Sequence, residues 1–274
     1  MQAQLKIEDI VDVENYPITD RQSSQRAQLV KQCRNDLRAN LYCVIPKLIL
    51  PAALKSMASE AMLLRPAAYD NNSRRNCYLQ RKEDPSLSAD HARNHLEDTS
   101  TRMIAYDQIP SESPLKAFYH ADAVRELIAE IVESDELFDN EDPYQPANYV
   151  CYENGDRSSW HFDADNSFTV TLMVQAADSG GDFQMSPNAR SDDDQNYDHV
   201  AHVLRGERND TIVSVAREPG ALCIFRGCNA LHRVSTVAGD KLRIMGVFVY
   251  EREPGILGDP EINETIYGQR VAAS

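Results

Sequence analysis

The sequence predicts an α+β fold, in which a double-stranded β-helix (a jelly roll) has helices from the N-terminal part packed on it. Helical periodicity dominates up to about residue 146, and from Asn148 onward many short apolar strands are separated by turn residues. The 274 residues suffice for a large core. We expect a single domain over 1–274, with a mainly helical part and a lid loop over 1–146, the jelly-roll core over 147–255 and a C-terminal tail over 256–274.

The N-terminal part is expected to begin with two helices joined by a strand. Apolar side chains recur at helical spacing from Asp20 to about Asn40, with basic residues on the other side. Leu41–Leu50 is apolar and β-branched, which favours a strand, and Ala52–Leu64 then has a helical pattern. Pro51 suits the first turn of that helix. Two further short helices are expected over Ser111–Ser134.

Residues 65–98 are polar and irregular, without a clear helical or strand period. A long loop inside a compact domain is uncommon and often acts as a lid or a binding loop. We therefore expect this segment to be a loop over the functional site.

The second half is expected to consist of strands. Ser191–Arg208 is acidic and then helix-like, which indicates an insertion between two of the strands. Ala238-Gly239-Asp240 is expected to be the turn of a hairpin between the last two strands. The expected strands are Asn148–Glu153, Phe168–Gln175, Asp182–Met185, Thr211–Val215, Ala221–Arg226, His232–Val237 and Lys241–Tyr250.

The net charge of −15 and the pI near 4.9 argue against a nucleic acid or an anionic membrane as partner. They weakly favour a cationic or zwitterionic small molecule. No apolar run could span a bilayer, and the polar first 20 residues lack a signal-peptide core, so a cytoplasmic location is expected. The six cysteines show no CxxC spacing and are expected to be reduced and buried. The sequence does not determine the oligomeric state, and a homodimer is one of the states that it allows.

Three residues in the second half form a candidate metal site. Side chains alternate along a strand, so His161 and Asp163 project to one side, and His232 follows a later apolar strand. Two imidazoles and a carboxylate on one side of a metal suit non-haem Fe(II) that also binds a cosubstrate and O2. A polar pair at a strand end is the alternative for an isolated His-x-Asp. The Gly155 turn, the distal histidine and a later arginine favour the metal.

Arg243 lies among apolar strand residues, where an unpaired cation would be costly to bury. An anion is therefore expected against it. A dicarboxylate cosubstrate such as 2-oxoglutarate would supply that anion.

These residues resemble the motifs of the 2-oxoglutarate-dependent dioxygenases. Several segments are more closely similar to the bacterial radical halogenases and hydroxylases of free amino acids, whose known members act on lysine and related compounds. The similarity covers about residues 90–255. Its segments are Tyr106-Asp107-Gln108-Ile109-Pro110, Trp160-His161-Phe162-Asp163, Gly180-Gly181-Asp182-Phe183, Pro219-Gly220, Phe225-Arg226-Gly227 and His232-Arg233-Val234.

The resemblance implies a fold, a cofactor set and a reaction. Iron would be held by His161, Asp163 and His232, with 2-oxoglutarate and O2 as cosubstrates and Arg243 paired with the distal carboxylate. Halogenating relatives have a small residue where Asp163 stands, which leaves room for chloride. The carboxylate retained here implies hydroxylation of a free amino acid.

Weaker candidates surround this set. Tyr152, Thr171, its neighbour Thr169 and Arg226 are candidate cosubstrate residues, although strand packing or a surface ion pair would equally explain them. Asp165 could receive a substrate ammonium group and Arg93 a substrate carboxylate. Trp160 is a third candidate for contact with the substrate and is expected to pack beside the metal-binding strand. For each of these, an ordinary packed or solvated side chain is the alternative.

Other functions and other metal sites remain open at this stage. The same chemistry could act on a nucleotide or a carrier-bound substrate, or the fold could be a cupin-type metal dioxygenase or a non-catalytic metal-binding module. The pairs His91/His95 and His199/His202 lie in polar segments without a zinc-type partner, so surface histidines are expected there.

Overall fold

The computed structural model describes residues 5–163 and 168–272. Its helices, in chain order, are α1 (Ser24–Asn40), α2 (Pro51–Leu64), α3 (Pro114–Tyr119), α4 (Asp122–Ile131), α5 (Tyr197–Leu204) and α6 (Pro260–Tyr267). Its strands are β1 (Tyr42–Ile45), β2 (Tyr69–Arg75), β3 (Glu97–Ile104), β4 (Phe138–Asp139), β5 (Ala147–Tyr152), β6 (Ser158–His161), β7 (Thr169–Gln175), β8 (Ser179–Gly180), β9 (Phe183–Ser186), β10 (Val213–Ser214), β11 (Leu222–Phe225), β12 (Leu231–Val234), β13 (Val237–Ala238), β14 (Arg243–Phe248) and β15 (Tyr250–Glu251).

The first helices begin and end where local chemistry favours it. The Ser23 side chain accepts the backbone N–H of Arg26 at the start of α1, and Leu41 ends that helix in a left-handed conformation. Pro51 opens α2, where a missing N–H costs nothing. These helices and the two short ones over 111–134 agree with the sequence prediction.

Two antiparallel sheets form the core of the fold. The larger has the order β1-β11-β7-β14-β5-β3-β2, and the smaller has the order β10-β9-β12-β6. Side chains from both sheets pack together, among them Val150 and Met245 from the larger and Phe183 and Val234 from the smaller. The sheets therefore enclose a common interior, and the predicted α+β jelly roll is confirmed.

The opposite face of the larger sheet is covered by helices. Leu172 and Ile244 on that face pack with side chains of α1 to α4, such as Met57 and Leu127. Residues one position away, such as Thr171 and Met245, face the interior instead. Because side chains alternate along each strand, one face of the larger sheet packs against the helices and the other faces the interior between the sheets.

The segment 65–98 contains a strand that the sequence prediction missed. β2 lies at one edge of the larger sheet and pairs with β3 along its whole length. Its inner face carries Asn71 and Arg75, which line a cavity rather than an apolar core. Because this face is polar, the strand lacks the apolar alternation that a half-buried strand shows. The irregular loop is correspondingly shorter than expected.

The turn at Gly239 does not close a hairpin, so that prediction was wrong. β13 pairs with β8, whereas β14 pairs with β5 and β7. Gly239 has φ +102°, and the Asp178 carboxylate accepts the backbone N–H groups of Asp240 and Lys241. This side chain fixes a corner at which the chain passes from one sheet to another.

The segment 256–274, expected as a tail, contains a docked helix. Asp259 caps α6 by accepting the N–H groups of Glu261 and Ile262. Tyr267 is buried, and Ile266 reaches the cavity between the sheets. The C-terminal segment therefore helps to build the site.

Two further expectations concern the whole chain. All six cysteines are buried and none is in a disulfide, as expected. In the described part of the chain, no helix has the length and apolarity that a membrane span requires.

Candidate metal centre

The three expected ligands converge between two neighbouring strands of the smaller sheet. His232 on β12 lies directly opposite His161 on β6. Asp163 follows the end of β6, and its backbone N–H donates to the Gly227 carbonyl over 3.0 Å. Asp163 Oδ1 lies 3.4 Å from His232 Nε2 and 3.8 Å from His161 Nε2. One ligand atom from each residue lies within 4.8 Å of the others.

Backbone carbonyls orient both imidazoles. His161 Nδ1 lies 2.8 Å from the Ser159 carbonyl, and His232 Nδ1 lies 2.9 Å from the Ala230 carbonyl. Since a carbonyl oxygen only accepts, each Nδ1 carries the proton. Each Nε2 then presents its lone pair to the shared centre, and metal-binding histidines are commonly oriented by such a hydrogen bond at the other ring nitrogen.

The protonation states also suit a cation. Burial, and then the neighbouring His232, lowers the pKa of His161 to about 3. Burial alone would raise the pKa of Asp163, but the two histidines and the Thr169 hydroxyl hold it well below its usual range. Thr169 donates a short hydrogen bond to Asp163 Oδ2. At neutral pH His161 is therefore neutral and Asp163 is ionised, the forms in which each binds a metal.

This donor set fits non-haem Fe(II). Two imidazole nitrogens and one carboxylate oxygen on one side of an ion leave the other positions open for exchangeable ligands. Within residues 5–163 and 168–272, these are the residues that meet as a group of three potential metal ligands. The alternative of an isolated polar pair is inconsistent with three convergent, separately oriented side chains.

Gly227 holds the Asp163 carboxylate in place by having no side chain. A Cβ atom added at Gly227 would lie 1.9 Å from Asp163 Oδ2 and 2.6 Å from its Cγ. The carboxylate therefore lies directly against the Gly227 backbone, while Thr169 binds one of its oxygens.

Gly227→Ala is accordingly expected to displace the carboxylate and weaken iron binding by about 10- to 100-fold, the range for losing a partner that orients a ligand. Iron retained after desalting measures the effect. Gly255→Ala is the control, because that glycine has φ +80° but open space around it. Equal iron content in both variants would contradict a positioning role for Gly227.

A cavity of about 240 Å³ opens beside the metal centre, between the sheets. Its wall combines several cations and hydroxyls with apolar side chains. Besides the three ligands, the wall includes Asn71, Arg75, Leu79, Thr99, Thr101, Met103, Val150, Tyr152, Thr169, Thr171, Phe183, Arg217, Phe225, Arg233, Val234, Arg243, Met245, Val247 and Ile266.

Arg243 is the most deeply buried cation of this wall, with 1 % of its surface exposed. Its Nε donates to the Gly181 carbonyl over 2.9 Å, and its guanidinium carbon lies 4.9 Å from the Tyr152 ring. Nη1 and Nη2 are buried without a hydrogen-bond partner. Burial lowers the pKa of Arg243 to about 10, so it stays charged at neutral pH. Two unmet donors on a buried cation call for an anion.

Arg217 is a second cation of the wall, and no pattern in the sequence predicts its position there. Its Nη1 donates to Thr171 Oγ1 over 2.8 Å, and its guanidinium lies 3.9 Å from the Phe183 ring. Its Nε is buried without a partner, and burial lowers its pKa. Arg217 comes from the irregular segment before β11, where no period shows which way a side chain points.

Arg75 on β2 is the third cation that sequence reasoning missed. Its Nε is buried without a partner, and burial lowers its pKa. It lies close enough to Asp163 and Tyr152 for their charges to act on it. Its position in the wall depends on the edge strand β2, which the polar sequence of that segment did not predict.

Three other predicted residues do not line the cavity. Arg226 is exposed and lines a separate surface depression with Asp192. Arg93 lies outside the cavity wall, and its Nε donates to Gln80 Oε1 over 3.1 Å. Trp160 faces away from the cavity, with the Arg233 guanidinium 4.5 Å from its ring. Asp165 lies outside the described residues.

The competing histidine pairs make other contacts. His91 packs on the Tyr197 ring at 4.6 Å, and His95 Nε2 lies 3.3 Å from a Glu97 oxygen. His202 Nδ1 lies 2.5 Å from a Glu207 oxygen. Within the described residues, neither pair belongs to a three-ligand group.

Comparisons with known proteins bear on the family and the fold of the chain. A sequence profile of the family described as "HalD: Halogenase D" matches residues 25–263. The chain is similar to a crystal structure of an oxidoreductase of the 2OG-Fe(II) oxygenase family from Burkholderia pseudomallei. The two structures align with a TM-score of 0.51 and 16% sequence identity, and the alignment covers 83% of this chain and 92% of the other. No curated protein sequence matched.

Two further solved structures have the same fold. A prolyl hydroxylase from Trichoplax adhaerens, in complex with a peptide of hypoxia inducible factor, has a TM-score of 0.52 at 13% identity, covering 91% of this chain and 93% of that one. The epimerase SnoN, in complex with Fe3+, alpha ketoglutarate and nogalamycin RO, has a TM-score of 0.52 at 11% identity, covering 82% and 84%. The profile match confirms the expected relationship to the halogenase and hydroxylase family, and these structures show that the chain has the fold of 2-oxoglutarate oxygenases.

Proposed function

The chain belongs to the Halogenase D family, within the Fe(II)- and 2-oxoglutarate-dependent oxygenases, and we propose that it hydroxylates a free amino acid. The observation that supports hydroxylation most directly is the Asp163 carboxylate, which lies among the histidines as a third ligand. The family description names halogenation, so the presence of this carboxylate decides which of the two outcomes we propose.

In this proposal His161, Asp163 and His232 hold the iron. Bound Fe(II), with 2-oxoglutarate and O2, would supply an oxidant able to remove a hydrogen atom from a substrate carbon. The chain binds both small molecules, aims one C–H bond and keeps water out. The enclosed position of the ligands, between two sheets and next to Phe183 and Phe225, supports that role.

Arg243 is proposed to bind the distal carboxylate of 2-oxoglutarate. Its two unpartnered nitrogens match the two oxygens of a carboxylate, which would complete a bidentate, charge-assisted contact. Arg217 and Thr171 form a hydrogen-bonded pair in the same wall, and Tyr152 lies opposite Arg243 on β5. These three are proposed to shape the cosubstrate end, whereas the position of Arg226 gives no support for a role there.

Arg75 is proposed to bind the substrate carboxylate, in place of Arg93. Arg75 lines the cavity and has a buried, unpartnered Nε, while Arg93 is bound to Gln80 outside it. β3 and β5 separate β2 from β14, so Arg75 and Arg243 can serve two different carboxylates.

Hydroxylation is proposed over halogenation because a halide needs a vacant coordination position. The Asp163 carboxylate is held in that position by two contacts, since it lies against the Gly227 Cα and accepts a hydrogen bond from the Thr169 hydroxyl. The Asp163 backbone N–H also donates to the Gly227 carbonyl. For a halide to replace it, the carboxylate would have to leave both of its contacts.

The proposal predicts substrate-dependent succinate formation in the presence of Fe(II), 2-oxoglutarate and O2. The product should be heavier by about sixteen mass units, one oxygen atom, and that atom should come from labelled O2. Succinate assays over a panel of free amino acids, followed by mass spectrometry, measure both. The same assay at high chloride tests the halogenase alternative.

Three results would overturn parts of the proposal. A chlorinated product would replace hydroxylation with halogenation. Turnover on a nucleotide or a carrier-bound acyl group, with every amino acid inactive, would change the substrate class. Activity without 2-oxoglutarate would point to a cupin-type dioxygenase, which has no use for the buried Arg243.

A further inference from the structure

A surface depression of about 280 Å³ adjoins the end of the cavity where the cosubstrate is proposed to bind. Phe183, Arg217 and Arg243 line both the depression and the cavity. These three side chains therefore form a partition, with the cavity and its metal centre on one side and the protein surface on the other. The proposed sites for the two carboxylates leave the depression without a role.

Strand β7 runs from the metal centre to this depression. At one end of the strand Thr169 donates to the Asp163 carboxylate. Thr171 accepts a hydrogen bond from Arg217, and Met173 lines the depression. Alternate residues of a strand share a face, so Thr169, Thr171 and Met173 mark a line of about 13 Å. The depression therefore lies at the end of the cavity away from the metal ligands.

Arg243 is the fixed part of the partition. Its Nε donates to the Gly181 carbonyl over 2.9 Å. Gly181 has φ +69°, and a Cβ atom added there would lie 2.7 Å from Arg243 Cδ. The Gly181 backbone, which lines the depression, thus lies directly against the Arg243 side chain. A carboxylate held by this guanidinium would be separated from the depression by little more than that backbone and the neighbouring Arg217.

Arg217 is the part of the partition that can move. Its side chain is half-buried and comes from the irregular segment between β10 and β11. It is held by the hydrogen bond to Thr171 and by the Phe183 ring, 3.9 Å from the guanidinium carbon. Rotation into the depression would break these contacts, but it would hydrate the buried, unpartnered Nε. Alternative conformers with such small energy differences are typically populated at about 0.1–10 %.

The depression has the charge that a passing dicarboxylate requires. Within the described residues, its charged groups are the two guanidiniums of Arg217 and Arg243 and the carboxylate of Asp182. Asp182 is exposed, and its charge acts on Arg243. The two cations outweigh the one anion, so 2-oxoglutarate and succinate would both be attracted to this lining.

We propose that the depression is a second entrance to the active site, through which 2-oxoglutarate enters and succinate leaves past the Arg217 side chain. The proposal rests on the proposed binding of the distal carboxylate by Arg243. Arg75, the proposed partner of the substrate carboxylate, lies close enough to Asp163 for that charge to act on it, at the metal end of the cavity. The coproduct can therefore leave without passing the hydroxylated product.

A tryptophan placed in the depression tests this route. Ala216 is exposed, lines the depression and does not line the cavity. In Ala216→Trp, the rates of 2-oxoglutarate association and dissociation should both fall about 10-fold or more, within the range by which association rates vary among mutants of one site. The Kd should stay within about twofold of the wild type, because a closed entrance slows both directions equally.

The rates are measured by rapid mixing of the Fe(II)-loaded protein with 2-oxoglutarate in the absence of O2. The absorption that Fe(II) acquires when a 2-oxo acid chelates it reports binding, and displacement by excess succinate reports dissociation. Calorimetry gives the Kd independently. None of these measurements depends on turnover or on the identity of the organic substrate.

Two further variants complete the set. Ser214→Trp closes the same depression from β10 and should slow exchange in the same way. Val213→Trp is the matched control, since Val213 is the exposed neighbour of Ser214 on that strand and lines neither the depression nor the cavity. Its rates should equal those of the wild type. Melting temperatures show which variants are folded, so Ser214→Trp carries the test if Ala216→Trp is not.

The outcomes distinguish the entrance from the site that it serves. Wild-type exchange rates in the folded tryptophan variants, with an unchanged Kd, would overturn the second entrance and leave Arg243 as the cosubstrate site. A raised Kd without slower association would also overturn it, because the substitution would then have disturbed the bound state. An unchanged 2-oxoglutarate Kd in Arg243→Leu would overturn the proposed cosubstrate site, and the entrance with it.

Discussion

Replacing His232 with alanine is expected to abolish iron binding and 2-oxoglutarate turnover in a protein that still folds. His232 supplies one of three ligands, and its loss should reduce activity by more than the roughly 100-fold that losing a ligand's orienting partner costs. Its ring packs against Phe225 at 5.0 Å and Phe183 at 5.7 Å, so a cost in stability on the order of 1–3 kcal/mol is also expected. Iron content, succinate formation and thermal unfolding measure the three effects.

His202→Ala is the matched control for this experiment. His202 is an exposed histidine on α5 that contacts Glu207 and belongs to no three-ligand group among the described residues. Its loss should leave iron content unchanged. Near-normal iron and turnover in His232→Ala would show that the ligand assignment is wrong.

The metal ligands could be predicted because their pattern is local or nearly so. The strand alternation that places His161 and Asp163 on one side needs no knowledge of the partner strand. His232 follows β11, whose buried run Leu222–Phe225 is recognisable as a strand from its composition. The pairing of His232 with His161 then completes the site in the structure.

The cations of the cavity wall show where sequence reasoning ends. Arg243 was found because apolar neighbours on β14 mark its strand as buried. Arg75 and Arg217 have no such neighbours, since β2 has a polar inner face and Arg217 precedes a strand. Whether such an arginine points inward depends on the sheet that it joins. The direction of such a side chain is set by tertiary contacts, and the local pattern of apolar residues along the strand does not reveal it.

Strand pairing was the other property that local patterns missed. The turn at Gly239 has hairpin composition, but β13 and β14 belong to different sheets. Likewise, α6 docks through Tyr267 and Ile266, at the end of a segment that resembles a tail. In both cases contacts with residues distant in sequence decide the structure, and these contacts override the local preference.

Replacing Arg243 with leucine is expected to raise the 2-oxoglutarate KM about 100-fold or more, with a much smaller effect on the substrate KM. The loss of a buried, charge-assisted contact costs on the order of a few kcal/mol, which corresponds to that factor. Protein stability should change little, because the guanidinium has two buried nitrogens without partners when no anion is bound. Arg243→Lys should recover the charge but not the two-nitrogen contact, so its KM should lie between those of the wild type and Arg243→Leu.

Arg226→Leu is the control, since Arg226 is exposed and lies outside the cavity wall. Its KM for 2-oxoglutarate should equal that of the wild type. An unchanged 2-oxoglutarate KM in Arg243→Leu would move the distal carboxylate to Arg217, which donates to Thr171 in the same wall. In that case Arg217→Leu, and not Arg243→Leu, would show the hundredfold rise. The two arginine variants, assayed side by side, therefore assign the cosubstrate carboxylate to one guanidinium or the other.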